Sequence, residues 1–310
     1  MSGERLHKAR GIDVKKLKKS WQLYVILAIP LTLTIVFQYI PMAGLQIAFR
    51  NYSARGGIWG SAWVGLSHFK MFFTSPSSLR IILNTVIISL YTNVASFPLA
   101  IILAIALNEA FSLRFKKFVQ MMTYAPYFIS TVVLVSMMMQ LLDPQIGVVN
   151  ILLRRMGVEI GSIMGQPAAF RHLHVWSSVW QNTGYSAILY LAALTGISPE
   201  LHEAAVMDGC NKYQRIWHID MPSLVPTILT LLIINMGYVM NVGFEKIFLM
   251  QSPATLSVSE VMSTYIYRIG LVTFDFSYST AIGLINSLIN LTLLLTVNAI
   301  LRMTTETSLF

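Results

Sequence analysis

Polar side chains recur at helical spacing inside long apolar stretches of this sequence. Asn235, Tyr238 and Glu245 are separated by three and seven residues, and Asn286 and Asn290 by four, so each set falls on one face of a helix. Polar groups are costly in a membrane helix and therefore mark surfaces that face other helices or a cavity. Further residues of this kind are Trp180, Gln181, Asn182, Tyr185, Asn241, and Asn84 with Tyr91.

Two roles are open for each of these residues. Amides form hydrogen bonds with hydroxyl groups and aromatic faces stack on flat rings, so the set is suited to lining a path for a hydroxyl-rich solute. Alternatively, each residue holds neighbouring helices together or anchors a helix at the membrane interface. Glu245 and Lys246, near the end of an apolar stretch, are expected to extend toward the water-facing membrane surface.

The sequence contains no constellation for catalysis. It has no GxxxxGK[ST] segment to bind nucleotide phosphates, so energy from ATP must come from a partner. His172 and His174 are two residues apart without an HExxH pattern, and Cys210 is the only cysteine. An intramembrane enzyme would need a metal or nucleophile site, and the single cysteine excludes a CxxC pair. We therefore expect no catalytic residue, metal or cofactor on this chain.

The composition indicates a membrane protein. Of the 310 residues, 55% are hydrophobic and 11% are charged, against about a quarter in soluble domains. The predicted fold is an all-α integral membrane domain, residues 21–302, with about six transmembrane helices. The candidate spans are residues 21–49, 81–107, 118–142, 173–194, 224–250 and 278–301. The first has the length of a full span and no small-residue cleavage site, so it is expected to remain uncleaved.

Basic residues set the predicted orientation, a multi-pass protein of the cytoplasmic membrane. Residues 1–20 form a basic leader that keeps the amino terminus in the cytoplasm, which also places the tail, residues 303–310, inside. Segments 50–80, 143–172 and 251–277 then lie outside. Their arginines and lysines either attract an anionic solute or contact phospholipid headgroups. The net charge of +9 is divided among short clusters rather than one basic domain, so no nucleic-acid partner is expected.

The longest predicted internal loop, residues 197–222, combines helix formers with helix breakers. It predicts two short helices around a turn, because Pro199 suits a helix start and Gly209 supplies a position without side-chain restriction. Ala204 and Ala205 permit close packing, and Pro222 is expected to close the unit before the next span. Such a unit is either a docking element on the cytoplasmic face or a structured connector.

This segment resembles the EAA loop of binding-protein-dependent ABC importer permeases. The pattern of that loop is matched at Glu203, Ala204, Ala205, Asp208, Gly209, Ile219 and Pro222. The resemblance implies coupling helices that sit in a groove of a nucleotide-binding subunit, with Glu203 making polar contacts there and Gly209 permitting the bend. It also implies a second, homologous permease subunit, two ABC ATPase subunits that hold ATP and Mg²⁺, and an extracytoplasmic solute-binding protein.

Further stretches resemble the carbohydrate branch of that family. They are Trp63-Val-Gly-Leu-Ser-His-Phe69, Leu191-Ala-Ala-Leu-Thr-Gly-Ile-Ser-Pro199, Asn241-Val-Gly-Phe-Glu-Lys-Ile-Phe-Leu249 and Thr264-Tyr-Ile-Tyr-Arg-Ile-Gly270. The last two are similar to the subgroup associated with acidic, uronate-containing oligosaccharides. Where many sugar permeases have Gly-Gly-Pro, this chain has Gln251-Ser-Pro253, which makes simple disaccharides less favoured. The alternative function is a secondary transporter or channel for small polar solutes, which would not need such a loop.

Overall fold

The computed structural model describes residues 21–158 and 161–304. The basic leader, residues 1–20, and the end of the tail, residues 305–310, lie outside the described residues. The regular secondary structure of the described residues is helical apart from one short hairpin, which confirms the predicted all-α membrane class. Four of its helices are long and apolar enough to cross a membrane, or five if one bent pair is counted as a span.

The first span is one helical run, Trp21–Phe49, at the predicted position. The type of helix changes along its length, from α1 (Trp21–Thr34) to a π-helical turn (Ile35–Tyr39), α2 (Ile40–Met42) and a 3₁₀ helix (Ala43–Phe49). Proline lacks a backbone N–H and so interrupts regular helical hydrogen bonding, and Pro30 and Pro41 flank the π-helical turn. No side chain of α1 is buried.

A small hairpin follows the first span. β1 (Arg50–Ser53) pairs antiparallel with β2 (Ser61–Trp63), with Arg50 opposite Trp63. α3 (Gly57–Gly60) connects the two strands, and the Arg50 guanidinium closes the hairpin by donating hydrogen bonds to the carbonyl oxygens of Trp59 and Ser61. α4 (Ser67–Thr74) then leads into the helical bundle.

α5 (Ser78–Asn108) is the central helix of the bundle. Three clusters of buried apolar side chains form the core, and each contains a residue of α5, namely Ile81, Ile88 and Ala100. Its most extensive partner is α9 (Pro167–Thr195). α5 and α9 overlap the second and fourth predicted spans. α9 is long enough to cross a membrane, but its polar residues lower its hydropathy below that of the four apolar helices, so the count of six spans remains a prediction.

The third predicted span, residues 118–142, is wrong as a straight helix. α6 (Leu113–Tyr124), a 3₁₀ helix (Ala125–Phe128) and α7 (Thr131–Leu141) replace it, and the two halves are bent by 97°. Pro126 lies in the 3₁₀ helix, and Ser130 begins α7 by accepting a hydrogen bond from the Val133 N–H. Both features end one helix and start another, and the bend follows from them. α8 (Val148–Arg155) comes next.

α9 crosses α6 with its backbone in contact. A Cβ on Gly184 would lie only 2.0 Å from the carbonyl oxygen of Thr123, so no residue larger than glycine fits at this crossing. Close contact here fixes the position of the polar face of α9 relative to the bend between α6 and α7.

The fifth predicted span, residues 224–250, is also wrong as one continuous helix. Its first part belongs to a helical run, Lys212–Met236, that comprises α11 (Lys212–Arg215), a π-helical turn (Ile216–Asp220) and α12 (Met221–Met236). Residues 237–243 are not a regular helix, and α13 (Phe244–Met250) restarts it. Irregular backbone in a membrane bundle is tolerated where other protein groups satisfy it or where it lines a cavity.

The carboxyl-terminal elements complete the bundle. They are α14 (Leu256–Ser259), α15 (Met262–Tyr267), a π-helical turn (Arg268–Val272) and α16 (Phe276–Thr304). α16 includes the sixth predicted span, residues 278–301, and packs against the 3₁₀ helix at the end of the first span. α10 (Pro199–Met207), a short helix between α9 and α11, lies in the predicted internal loop.

Candidate functional site

A polar cavity of about 760 Å³ lies between the helices of the bundle. α5, α9, the bend between α6 and α7, and the irregular segment 237–243 with α13 all contribute to its walls. Six residues predicted from the sequence to lie along a solute path line it, Gln181, Asn182, Asn235, Tyr238, Asn241 and Glu245. The structure therefore brings together amide, hydroxyl and carboxylate groups from two predicted spans.

Two other aromatic residues of the predicted path do not line this cavity: Tyr185 lies beside it, and Trp180 lies away from it. Tyr185 stacks on Tyr127, which lines the cavity, with ring centroids 3.8 Å apart, and it borders a second cavity of about 220 Å³. The two cavities share Asn93 and Asn235, so Tyr185 lies next to the main one. Trp180 instead lies in an apolar cleft formed by α5, α6 and α9.

Asn84 connects helices and does not line the cavity. Its side-chain amide donates hydrogen bonds to the carbonyl oxygens of Ser257 and Glu260, at 3.1 Å each, and its carbonyl accepts one from Arg171 at 2.8 Å. Glu260 is itself buried and forms ion pairs with Arg80 and Arg268. For Asn84, the contacts are those expected of a residue that joins α5 to α9 and to the segment before α15.

Asn286 and Asn290 support the irregular segment from behind. The backbone N–H of Met240 donates to the side-chain oxygen of Asn290 at 2.9 Å, and the amide of Asn286 donates to the side-chain oxygen of Asn241 at 3.0 Å. Asn290 also donates to Asn241, at 3.5 Å. These two α16 residues therefore position Asn241, which lines the cavity, rather than lining it themselves.

Several cavity residues were not predicted from the sequence. Ser89, Thr92 and Asn93 lie on one face of α5, at offsets of three and four, and a search for that spacing within an apolar helix would have found them. His174 and Ser178 form a similar pair on α9. Lys246 carries no such pattern, because its place depends on how the fifth span is broken.

The expected position of Lys246 at the water-facing membrane surface is wrong. Lys246 is 6% exposed, lines the cavity, and donates a hydrogen bond to the Ser178 hydroxyl at 2.7 Å. The break at residues 237–243 accounts for this, since α13 restarts in a new direction and turns the lysine toward α9. Glu245, the preceding residue, is exposed and also lines the cavity.

The second candidate site is the turn after α10. Gly209 has a φ of +82°, and its N–H donates to the carbonyl of Val206 at 3.0 Å, while the N–H of Cys210 reaches back to Ala205 at 2.9 Å. This pair of bonds is the Schellman motif, which ends a helix and requires a left-handed backbone conformation at the residue that Gly209 occupies. Nothing lies within 4 Å of the position a Cβ would take, so backbone conformation alone selects glycine at Gly209.

The next helix starts immediately after this turn. Asn211 accepts a hydrogen bond from the N–H of Gln214, and the Gln214 side chain accepts one from the N–H of Asn211. This capping box begins α11. Pro222 does not close the unit as expected, because the helix continues through it from α11 to α12. Proline costs little at the first turn of an α-helix, where Pro222 lies in α12. The π-helical turn immediately before α12 accommodates the change in hydrogen-bond spacing between α11 and α12.

We name the segment from α10 through the turn at residues 208–210 and α11 to the end of the following π-helical turn, residues 199–220, the coupling element. Of the residues that resemble the EAA loop, Glu203, Ala204, Asp208, Gly209 and Pro222 are exposed, and Ala205 and Ile219 are half-buried. The element also exposes large apolar side chains, with Met207 86%, Tyr213 81% and Trp217 69% exposed. An exposed apolar surface rimmed by polar groups is typical of a protein contact.

Charged residues that the sequence did not single out tie the coupling element to the end of α5. Lys212 and Arg215 approach the Glu109 carboxylate at 3.4 and 3.9 Å, and Lys212 lies over the Phe111 ring. His202 of α10 lies 3.5 Å from the buried Asp220 carboxylate. These contacts join the coupling element to the end of α5, and α10 to the residue before α12, and both α5 and α12 contribute side chains to the cavities.

No group of three or more histidine, cysteine, aspartate or glutamate residues suited to holding a metal ion occurs within residues 21–158 and 161–304. The two candidate sites are thus a polar cavity and a surface for protein contact, joined through α5 and α12.

Comparison with known proteins identifies the family. Residues 96–304 match the family model described as the binding-protein-dependent transport system inner membrane component. Protein LplB of Bacillus subtilis (strain 168) is 37% identical over 302 residues, which cover 97% of this chain and 95% of LplB. The polygalacturonan/rhamnogalacturonan transport system permease protein YteP of the same organism is 38% identical over 268 residues, 86% of this chain and 84% of YteP.

A solved structure is similar throughout. The match is a chain of a bacterial alginate ABC transporter in complex with an alginate pentasaccharide-bound periplasmic protein, with a TM-score of 0.87 and 37% identity, covering 95% of this chain and 99% of that chain. Because the family model spans most of the sequence and relatives above 30% identity span nearly all of it, the chain belongs to the family of binding-protein-dependent transport system inner membrane components.

Proposed function

We propose that this chain is the membrane subunit of an ATP-driven importer for oligosaccharides, including acidic ones that contain uronate units. The similar proteins support this substrate class, since one is named for polygalacturonan and rhamnogalacturonan and another was solved with an alginate-loaded periplasmic protein. The observation that carries the proposal is the 760 Å³ cavity lined by amide and hydroxyl side chains, which suits a chain of hydroxyl groups.

The working transporter contains several further subunits. We infer a second, homologous permease, two ABC ATPases that bind ATP and Mg²⁺, and an extracytoplasmic binding protein that delivers the sugar. The chain lies in the cytoplasmic membrane with residues 1–20 and 303–310 inside, and residues 21–302 form the transmembrane domain. Nucleotide binds the closed ATPase pair more tightly than the open one, and this difference in affinity drives the change between outward-open and inward-open states.

The coupling element contacts the ATPase. Met207, Tyr213 and Trp217 form its apolar surface, and Glu203 and Asp208 add polar groups. The ion pairs to Glu109 and the continuous helix Lys212–Met236 carry displacement of this surface into the bundle. Asn235 lies at the last turn of that helix and lines the cavity, so the same helix touches both sites.

Met207→Asp tests this coupling surface. Met207 lies at the end of α10 and is 86% exposed, so the change does not disturb the fold, but it places a charge in the proposed apolar contact. We expect the ATPase subunits to co-purify with the chain at a much lower yield, and sugar-stimulated ATP hydrolysis to fall at least tenfold.

The matched control is Ile146→Asp, which changes a similarly exposed apolar residue in the predicted external segment after α7. It should leave co-purification unchanged. Equal co-purification of native and Met207→Asp proteins would reject the contact surface. Uptake that proceeds without ATP would instead favour a secondary transporter.

A further inference from the structure

Lys246 is an unusual component of the cavity wall. Only 6% of the surface of Lys246 is exposed. Its one hydrogen bond in the described chain goes to the Ser178 hydroxyl, at 2.7 Å. An ammonium group has three N–H donors, and a buried charge is costly unless an opposite charge and further acceptors surround it. Ser178 alone supplies neither a negative charge nor enough acceptors.

No protein carboxylate compensates this lysine among residues 21–158 and 161–304. Their ion pairs within 4.0 Å involve Glu109, Asp220 and Glu260, and none includes Lys246. Glu245 is adjacent in sequence and lines the same cavity, but it is exposed and forms no ion pair with Lys246.

A second buried polar group lies beside the lysine. His174 is 3% exposed, lines the cavity, and its ring Nδ1 has no hydrogen-bond partner within the described part of the chain. Its backbone carbonyl accepts the Ser178 hydroxyl at 2.8 Å, which leaves the Ser178 oxygen to accept from Lys246. The hydroxyl thereby holds Lys246 next to His174, and one wall of the cavity carries both an unmatched cation and an unmatched imidazole.

We propose that Lys246, positioned by Ser178 and flanked by His174, is an anion subsite that binds a carboxylate group of the transported oligosaccharide. This inference rests on the proposed function and adds to it the group that distinguishes acidic from neutral sugars inside the membrane. A uronate carboxylate supplies both the charge and the acceptors that Lys246 lacks, and the cavity admits it without burying a protein anion. Glu245 confines the attraction to one wall, since it repels a carboxylate placed near it.

The test compares two sugars that differ only in their carboxyl groups. The complete transporter is reconstituted in liposomes with its binding protein, and uptake is measured for a tri-uronate and for the same trisaccharide with each carboxyl reduced to an alcohol. For each sugar the maximal uptake rate of the variant is divided by that of the native protein, so the preference of the binding protein cancels.

Lys246→Met removes the charge and keeps the length of the side chain. We expect it to lower uptake of the tri-uronate about tenfold or more, and uptake of the reduced sugar less than twofold. Lys246→Arg retains a cation and should restore most acidic uptake. Lys117→Met, which removes an exposed lysine of α6 away from the cavity, should alter neither rate.

The outcomes separate the subsite from the function. Equal loss of both sugars in Lys246→Met, or no loss, overturns the anion subsite while leaving oligosaccharide import in place. If the native transporter takes up neither sugar, the proposed substrate class is wrong and the subsite falls with it. Selective loss of the acidic sugar, with recovery in Lys246→Arg, establishes the subsite.

Discussion

At the residue scale, Gly209 shows how one position links sequence to the coupling element. Its φ of +82° is reached by glycine without penalty, whereas a side chain adds about 1 to 2 kcal/mol in the left-handed region. No atom lies within 4 Å of its missing Cβ, so this cost is purely conformational. The direction of α10 relative to α11 therefore depends on a backbone angle.

We expect Gly209→Ala to loosen this turn and reduce sugar-stimulated ATP hydrolysis several-fold. Gly209→Asn should retain more than half of it, because asparagine tolerates the left-handed conformation better than other residues with a side chain. Gly60→Ala is the control, since it too meets no atom within 4 Å but has no positive φ. Hydrolysis that is the same in Gly209→Ala and Gly60→Ala would show that the conformation of the turn does not matter for coupling.

At the element scale, the irregular segment 237–243 decides which side chains reach the cavity. Its backbone at Met240 bonds to Asn290, fifty residues later in the chain. Asn241 is held by Asn286 and Asn290 from the same helix. Contacts with α16 thus support the break, in addition to local backbone hydrogen bonds such as that from the Asn241 N–H to the Tyr238 carbonyl, at 2.8 Å.

Asn290→Leu should destabilise this break. It leaves the buried N–H of Met240 without its acceptor, which costs about 1 to 3 kcal/mol, and it should lower the thermal unfolding temperature of the detergent-solubilised protein. Thr292→Val on the same helix is the control, because Thr292 is exposed and bonds only within α16. Identical unfolding temperatures for Asn290→Leu and Thr292→Val would argue against the supporting role of Asn290.

The same element shows what the sequence could and could not predict. Long apolar runs located the first, second and sixth spans, because hydropathy alone determines them. Hydropathy averaged along the sequence does not register the breaks near Pro126 and Gly237, so it joined separate helices into the third and fifth spans. Six cavity residues were predicted as polar side chains within apolar stretches. The expectation that Asn235, Tyr238 and Glu245 share one helix face is wrong, because the fifth span is broken between them. Lys246 was not predicted to line the cavity, because its partner Ser178 lies 68 residues earlier.

At the scale of the whole molecule, orientation determines which site meets which partner. In the proposed orientation, which follows the positive-inside rule, the coupling element lies in the cytoplasm and the β1–β2 hairpin lies outside. Cys210, the only cysteine, lies in the coupling turn and is half-buried, so it is a natural reporter of that orientation.

A membrane-impermeant maleimide should label Cys210 in inverted vesicles and not in right-side-out ones, when the chain is expressed without the ATPase. Ala62→Cys in a Cys210→Ser background should show the opposite pattern, because Ala62 is exposed in β2. Labelling of Cys210 from the external side would reverse the topology and would exclude contact with a cytoplasmic ATPase.

The exposure of the first helix, α1, has a consequence for how its sequence can change. Every side chain of α1 is exposed within the described part of this subunit, so packing among those residues constrains the shapes of these side chains little. Selection on residues 21–34 through the fold of the subunit then acts on apolar character alone, whereas Gly184 must remain glycine. Over evolutionary time, leucine, isoleucine, valine and phenylalanine can replace one another freely in α1. This segment should therefore diverge faster than any other span while keeping its hydropathy.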